Sequence, residues 1–180
     1  SAPVRVGNGA WNQRQLDVYG EVMDSMYHAH LAGITTDDAD WRIEKGMIKF
    51  IESKWEEPDE GIWEVRGGRK QFTHSKVMAW VAFDRAIKLS EARGERPDEE
   101  VPRWKKIREK IHRQVCRRGF NKKKNAFTQH YGSSEMDASI LMMPLVGFLP
   151  STHVRVLGTI DAVQRELMRD GLVLRYRTRK

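Results

Sequence analysis

The sequence predicts an all-α protein in which about six helices pack as antiparallel hairpins. Apolar residues recur at helical spacing in six segments. These segments are joined mostly by short loops, which favour antiparallel neighbours. No segment repeats at a fixed period, so the pattern does not indicate a solenoid family. Residues 57–73 lack the helical spacing and form the one linker of a different kind.

The first three helices are predicted from apolar stripes and local stop signals. They are expected over residues 13–31, 38–55 and 74–92. In the first helix Leu16 and Met23 share one face, and Gly33 follows as a C-terminal stop. The second ends ahead of Pro58, because a proline disfavours helical backbone in the residue before it. Gly94 ends the third.

The last three helices are predicted over residues 102–118, 137–148 and 152–168. Pro102 suits the first helical position, where its missing N–H costs nothing. The fifth helix contains Pro144, which predicts a kink. Asp170 and Gly171 end the sixth helix.

Residues 57–73 read EPDEGIWEVRGGRKQFT and predict a β-hairpin. Two short runs, 62–66 and 69–72, flank Gly67-Gly68, a dipeptide typical of two-residue hairpin turns. The segment is rich in tryptophan, glutamate and arginine. Functional side chains are often carried on loops that a rigid scaffold positions. We therefore expect functional residues on this hairpin.

The charge pattern allows two interpretations. The net charge is +7, and Lys and Arg crowd residues 103–124. Such a stretch can bind nucleic acid. However, Trp104, Ile107, Ile111 and Val115 fall on one stripe, which is typical of a helix with one buried face and a solvated basic face. No nucleic-acid motif accompanies the charge, so we expect no nucleic-acid partner.

Neither a membrane segment nor a disulfide is predicted. The longest apolar run, residues 140–149, is shorter than the roughly 18 residues that a membrane helix needs. Cys116 is the single cysteine, which fits either a reducing compartment or an absence of selection on redox state. We therefore expect a cytoplasmic protein without a membrane partner.

Glu64 is the residue whose surroundings suggest catalysis. A carboxyl that is buried against an aromatic ring has a raised pKa and can stay protonated near neutral pH, as a glycosidase general acid must. Trp63 precedes Glu64 and offers such a ring, which could also stack on a sugar, and Arg66 can bond hydroxyl groups. Taken alone, a Trp-Glu pair in a loop is more often a packing residue next to a surface charge.

Three segments resemble glycoside hydrolase family 15, the family of glucoamylases and bacterial trehalases. The central segment, PDEGIWEVRGGRKQFTHSKVMAWVAFDRAIKLSE, resembles the signature stretch of that family. The segments SAPVRVGNGAWNQRQLDVYGEVMDSMY and FTQHYGSSEMDASILMMPLVGFLP resemble the stretches before and after it. Together they span most of the 180 residues in the family's order.

The resemblance implies a role for Glu64 and a set of residues around it. Glu64 matches the general acid of the family's Trp-Glu motif. The positions that the resemblance places in or beside the substrate pocket are Trp63, Arg66, Asn8 and Asp137. His74 and Lys76 match the family pattern and are expected to brace the hairpin. The implied fold is an (α/α)6 barrel, of which six helices are about half, and the implied chemistry needs no metal or organic cofactor.

The resemblance also implies that part of the catalytic machinery lies elsewhere. The family's Trp-x-Arg-Asp stretch precedes residue 1, and its general base follows residue 180. We therefore expect residues 1–180 to be a single fragment of the catalytic domain, inactive alone and prone to self-association through the exposed flank of a half barrel.

Two questions of function stay open. The expected substrate is an α-linked glucose oligosaccharide or disaccharide, and the sequence does not separate a glucoamylase from an α,α-trehalase. The alternative is a non-catalytic helical-hairpin domain that binds carbohydrate or a protein partner.

Overall fold

The computed structural model describes residues 13–34, 37–64, 67–94 and 99–177, and within them it confirms the all-α prediction. Six α-helices follow one another along this part of the chain: α1 Asp17–Leu31, α2 Asp38–Lys54, α3 Thr73–Ala92, α4 Val101–Arg118, α5 Met142–Leu145 and α6 Val154–Leu167. None of the helices in these residues is long and apolar enough to cross a membrane.

Helix α3 is the centre of the fold. Of its 20 residues 17 are buried, and it packs against α1, α2 and α4. Its contact with α1 is the most extensive in the described chain. A helix that is covered all round has no narrow apolar stripe, because neighbours take up each of its faces. Because the loop that carries Glu64 leads directly into α3, this helix is the rigid base of the candidate site.

Helix α4 confirms the amphipathic interpretation of the basic stretch. Trp104, Ile111 and Val115 are buried, and Ile107 packs partly buried against the same core. Its basic residues form ion pairs with neighbouring helices and loops: Arg103 with Glu52, Lys105 with Glu91, Arg108 with Asp84, and Lys110 with Glu56.

The contact between α1 and α3 depends on Gly20. A Cβ atom at this position would lie 2.2 Å from the carbonyl oxygen of Met78, which is backbone and cannot move aside cheaply. We expect Gly20→Ala to lower the free energy of unfolding by at least about 1–3 kcal/mol, the usual cost of overpacking. Urea denaturation followed by circular dichroism measures this change.

Gly46 provides the matched control for that substitution. It lies within α2, and a Cβ atom there would meet nothing within 4 Å. Gly46→Ala should raise the free energy of unfolding by roughly 0.5–1 kcal/mol, since alanine restricts the unfolded chain and suits a helix. Equal stability of the Gly20 and Gly46 variants would contradict the close α1–α3 contact.

The predicted fifth helix, residues 137–148, is mostly not an α-helix. The structure has a 3-10 helix over Ala138–Leu141, followed by the single turn α5. Pro144 has no N–H to donate to the carbonyl of Ile140, so the preceding residues take the tighter 3-10 form. Gly147 then ends the segment with a left-handed backbone, φ +78°.

The predicted hairpin around Gly67-Gly68 is only partly correct. The chain does double back, through an antiparallel bridge in which Asp59 and Lys70 exchange backbone hydrogen bonds of 2.9 and 3.0 Å. However, residues 61–64 form turns rather than a strand, because Gly61 takes a left-handed backbone, φ +69°, that a strand does not allow. The described two-stranded hairpins lie elsewhere: β1 Phe120–Asn121 with β2 Ala126–Phe127, and β3 Met168–Arg169 with β4 Leu172–Val173.

Candidate active site

The base of the Glu64 loop is fastened by buried groups. The Lys76 side chain is fully buried in α3, and its Nζ donates to the carbonyl oxygens of Trp55 and Glu57, each at 2.6 Å. This contact ties the end of α2 to α3. Burial lowers the pKa of Lys76 to about 8, although the nearby Asp59 opposes that shift.

Asp59 joins the same loop to the start of α1. Its carboxylate is fully buried, and Oδ2 accepts the backbone N–H of Leu16 at 3.1 Å. Burial raises the pKa of Asp59, while a hydrogen bond from Ser75 opposes the rise. Next to it, the backbone N–H of Arg14 donates to the Glu60 carboxylate at 2.7 Å, and the backbone N–H of Glu60 donates back to the Arg14 carbonyl at 3.0 Å.

The turn that presents Glu64 follows this base. The Glu64 N–H donates to the Gly61 carbonyl at 3.2 Å, which closes a tight turn. A Cβ atom at Gly61 would lie 2.8 Å from the ring of Phe72, so only glycine fits there. Glu64 itself has φ +49°, in the left-handed region that is uncommon for residues other than glycine.

Glu64 is exposed, contrary to the burial that its aromatic neighbour suggested. The indole of Trp63 is engaged with another residue: its Nε1–H donates to Oδ1 of Asp137 at 2.9 Å. The guanidinium of Arg175 lies over the same ring, 5.3 Å from its centroid. Trp63 is half-buried and joins the Glu64 turn to the start of the 3-10 helix.

Asp137 is a buried support. It is 3% exposed, and Oδ1 also accepts the backbone N–H of Ser139 at 2.9 Å and its hydroxyl at 2.7 Å. Its other oxygen, Oδ2, accepts Nε2 of Gln129 at 3.0 Å. The carboxylate therefore both caps the 3-10 helix and accepts the hydrogen bond from Trp63.

His74 lies buried near this pair, in the first turn of α3. It is 3% exposed, and neither ring nitrogen has a hydrogen-bond partner in the described part of the chain. Burial lowers the pKa of His74 to about 4, although the charge of Asp137 opposes the shift. The imidazole is therefore neutral near pH 7.

Of the predicted site residues, the structure brings together Glu64, Trp63 and Asp137. Arg66 and Asn8 lie outside the described residues. Sequence reasoning missed Gln129 and Arg175. Gln129 stands in the segment FTQHYG that the family resemblance covers, which was the available signal, and Arg175 had none.

The chemistry available to this arrangement is proton transfer. A carboxyl on a turn that buried groups hold in place can protonate a bound leaving group once the substrate covers it and shields it from water. Among the described residues, no group of three or more His, Cys, Asp or Glu side chains could hold a metal ion.

Comparison with known protein families and curated proteins agrees with this chemistry. The family model for glycosyl hydrolases family 15 matches residues 1–180. The chain is 45% identical over 177 residues to a trehalase from Mycolicibacterium smegmatis, covering 98% of this chain and 26% of that protein. It is 39% identical over 178 residues to a trehalase from Thermoplasma volcanium, covering 98% and 28%. The chain thus spans between a quarter and a third of the length of these two relatives.

Solved structures of glycosidases share the fold. A glycosidase variant in complex with glucose superposes with a TM-score of 0.80 at 20% identity, covering 96% of this chain and 45% of that one. A wild-type glycosidase superposes with a TM-score of 0.77 at 22% identity, with the same coverage. These proteins have the (α/α)6 barrel fold, and the predicted partial barrel is confirmed.

Proposed function

The chain belongs to glycosyl hydrolase family 15, and from this membership we propose that it is a fragment of the catalytic domain of an inverting, exo-acting α-glucoside hydrolase. One observation in the structure supports the proposal most directly. Glu64, the residue that matches the family's general acid, stands exposed on a turn that is tied to the scaffold by its neighbour Trp63.

In the proposed reaction Glu64 protonates the glycosidic oxygen as the bond to the anomeric carbon breaks. A second carboxylate, outside residues 1–180, activates a water molecule on the opposite face of the sugar. Inverting enzymes hold the two carboxyl groups roughly 6.5–9.5 Å apart to leave room for that water. Attack from the opposite face releases β-glucose, and both roles need only carboxyl groups.

We assign α,α-trehalose as the preferred substrate. The curated relatives named above are trehalases, and they cover nearly the whole of this chain at 45% and 39% identity. In the proposed pocket Trp63 forms part of the wall, and Arg66 and Asn8 bond sugar hydroxyl groups. These contacts stay predictions from the family resemblance.

The proposed activity is tested with the full-length protein and two disaccharides. Trehalose should be hydrolysed with a kcat/KM that exceeds that for maltose by roughly tenfold or more. Rapid proton NMR should detect one β-glucose and one α-glucose for each trehalose. Two α-glucose molecules would contradict inversion, and a preference for maltose would favour a glucoamylase.

The alternative, a binding domain without catalysis, gives a different result in the same experiment. Calorimetry would then detect trehalose or oligosaccharide binding by a full-length protein that releases no glucose. A cytoplasmic location also stays a prediction, which rests on the single cysteine.

Self-association through an uncovered flank stays a prediction as well. Large apolar side chains are exposed on and near α1, α6 and β4: Leu31, Ile34, Val154, Leu157, Leu172 and Val173. They are of the kind that association would cover.

A further inference from the structure

We propose that Asp137 is a positioning residue, which acts through the indole of Trp63 to hold the turn that carries Glu64. We call this arrangement the Trp63–Asp137 clamp. In it Trp63 supports the Glu64 turn, and Asp137 does not touch the sugar. The inference rests on the proposed function, in which Glu64 is the general acid.

The first support is that the indole of Trp63 makes two contacts: its only hydrogen-bond donor is used, and one face of the ring is covered by a cation. An indole has a single hydrogen-bond donor, and Nε1–H of Trp63 donates to Asp137 at 2.9 Å. Arg175 lies over the ring, 5.3 Å from its centroid, within the range of a cation–π contact. A ring held in this way orients its own backbone and that of Glu64.

The second support is that Asp137 is buried and already accepts hydrogen bonds on both carboxylate oxygens. A carboxylate offers about four lone-pair sites. The structure supplies four donors: Nε1 of Trp63, the backbone N–H and hydroxyl of Ser139, and Nε2 of Gln129. Three of these donors bond Oδ1, and the residue is only 3% exposed, so a sugar hydroxyl cannot reach the carboxylate.

The third support is the backbone of Glu64. A residue other than glycine at φ +49° carries strain, which persists only where the surroundings determine the conformation. The base of the loop is held separately, by Lys76 and Asp59. Loss of the clamp should therefore release the Glu64 turn and leave the rest of the loop in place.

The test is a set of variants of the full-length protein, assayed with trehalose. Trp63→Phe keeps an aromatic ring but removes the donor, and Asp137→Ala removes the acceptor. Each should lower kcat about 10- to 100-fold, the range that a misplacement of about 1 Å produces, and leave KM within about threefold. The double variant should be no slower than the slower single variant, because both changes break the same contact.

Asp137→Asn separates positioning from a role for the charge. Asparagine keeps an oxygen that can accept from Trp63, so this variant should recover kcat to within about fivefold of the wild type. It also keeps a side chain that caps the 3-10 helix. If Asp137→Ala does not fold, Trp63→Phe and Asp137→Asn still decide the question.

Trp41→Phe is the control for the tryptophan change, since Trp41 packs against Trp104 away from the loop and should leave kcat unchanged. A normal kcat in Trp63→Phe, multiplied effects in the double variant, or an Asp137→Asn variant as slow as Asp137→Ala would each overturn the clamp. If Glu64→Gln is inactive and any of these results is observed, the clamp is wrong and the proposed function still stands. Full activity in Glu64→Gln would refute the proposed function and the clamp with it.

Discussion

Glu64→Gln in the full-length protein should lower kcat for trehalose by at least about 10²–10⁴-fold, the usual contribution of a general acid. Glutamine keeps the size and shape of the side chain but has no acidic proton. The leaving sugar then departs as a poorly stabilised anion. Because Glu64 is exposed on its turn and packs in no core, folding and KM should change little.

Two controls make that experiment specific. Glu56→Gln removes an equal charge near the same loop and breaks an exposed ion pair with Lys110, so its kcat should stay normal. α-Glucosyl fluoride needs little protonation of its leaving group, and Glu64→Gln should hydrolyse it far better than trehalose. Normal turnover of trehalose would remove Glu64 from the mechanism, and equal losses on both substrates would indicate a role in positioning only.

The 180-residue chain alone is expected to release no measurable glucose from trehalose or maltose. Inversion needs two carboxyl groups on opposite faces of the sugar, and the family resemblance places the general base beyond residue 180. It also places the Trp-x-Arg-Asp stretch that grips the sugar ahead of residue 1. Without that grip, the orientation that accounts for much of enzymatic rate enhancement is lost.

A glucose-release assay on the chain and on the full-length protein at equal concentration measures this difference. Far-ultraviolet circular dichroism of the chain provides the control, because a helical spectrum shows that inactivity does not result from unfolding. Glucose release by the folded chain would mean that its 180 residues contain a complete catalytic set, and the fragment hypothesis would be wrong.

Local signals in the sequence were sufficient to place most helices. The predicted third and fourth helices, residues 74–92 and 102–118, each begin one residue later than α3 and α4 and end at the same residues. Helix bounds depend on neighbouring residues, through apolar spacing, Pro102 and the glycine stops. Glu64 was proposed as the general acid in the same way, from a contiguous motif, and that role stays a prediction.

Elements that depend on competing local preferences were predicted less well. Pro144 divides the fifth helix into a 3-10 helix and a single α-helical turn, although the sequence suggested only a kink. Asp170 and Gly171 were interpreted as a helix stop, but both have positive φ, +50° and +77°, and form the turn between β3 and β4. An Asp-Gly pair is a strong hairpin signal, which could have been recognised.

Only the tertiary structure decided how the site is held. Trp63 and Asp137 are 74 residues apart, and nothing in the spacing of either residue indicates that one donates to the other. The same applies to Lys76, whose buried ammonium bonds the carbonyls of Trp55 and Glu57. Apolar periodicity indicates which face of a helix is buried, because apolar side chains avoid water. It does not indicate which group a buried polar side chain bonds, since tertiary packing determines that partner. The sequence therefore identified the candidate acid, and the packing around α3 determined what positions it.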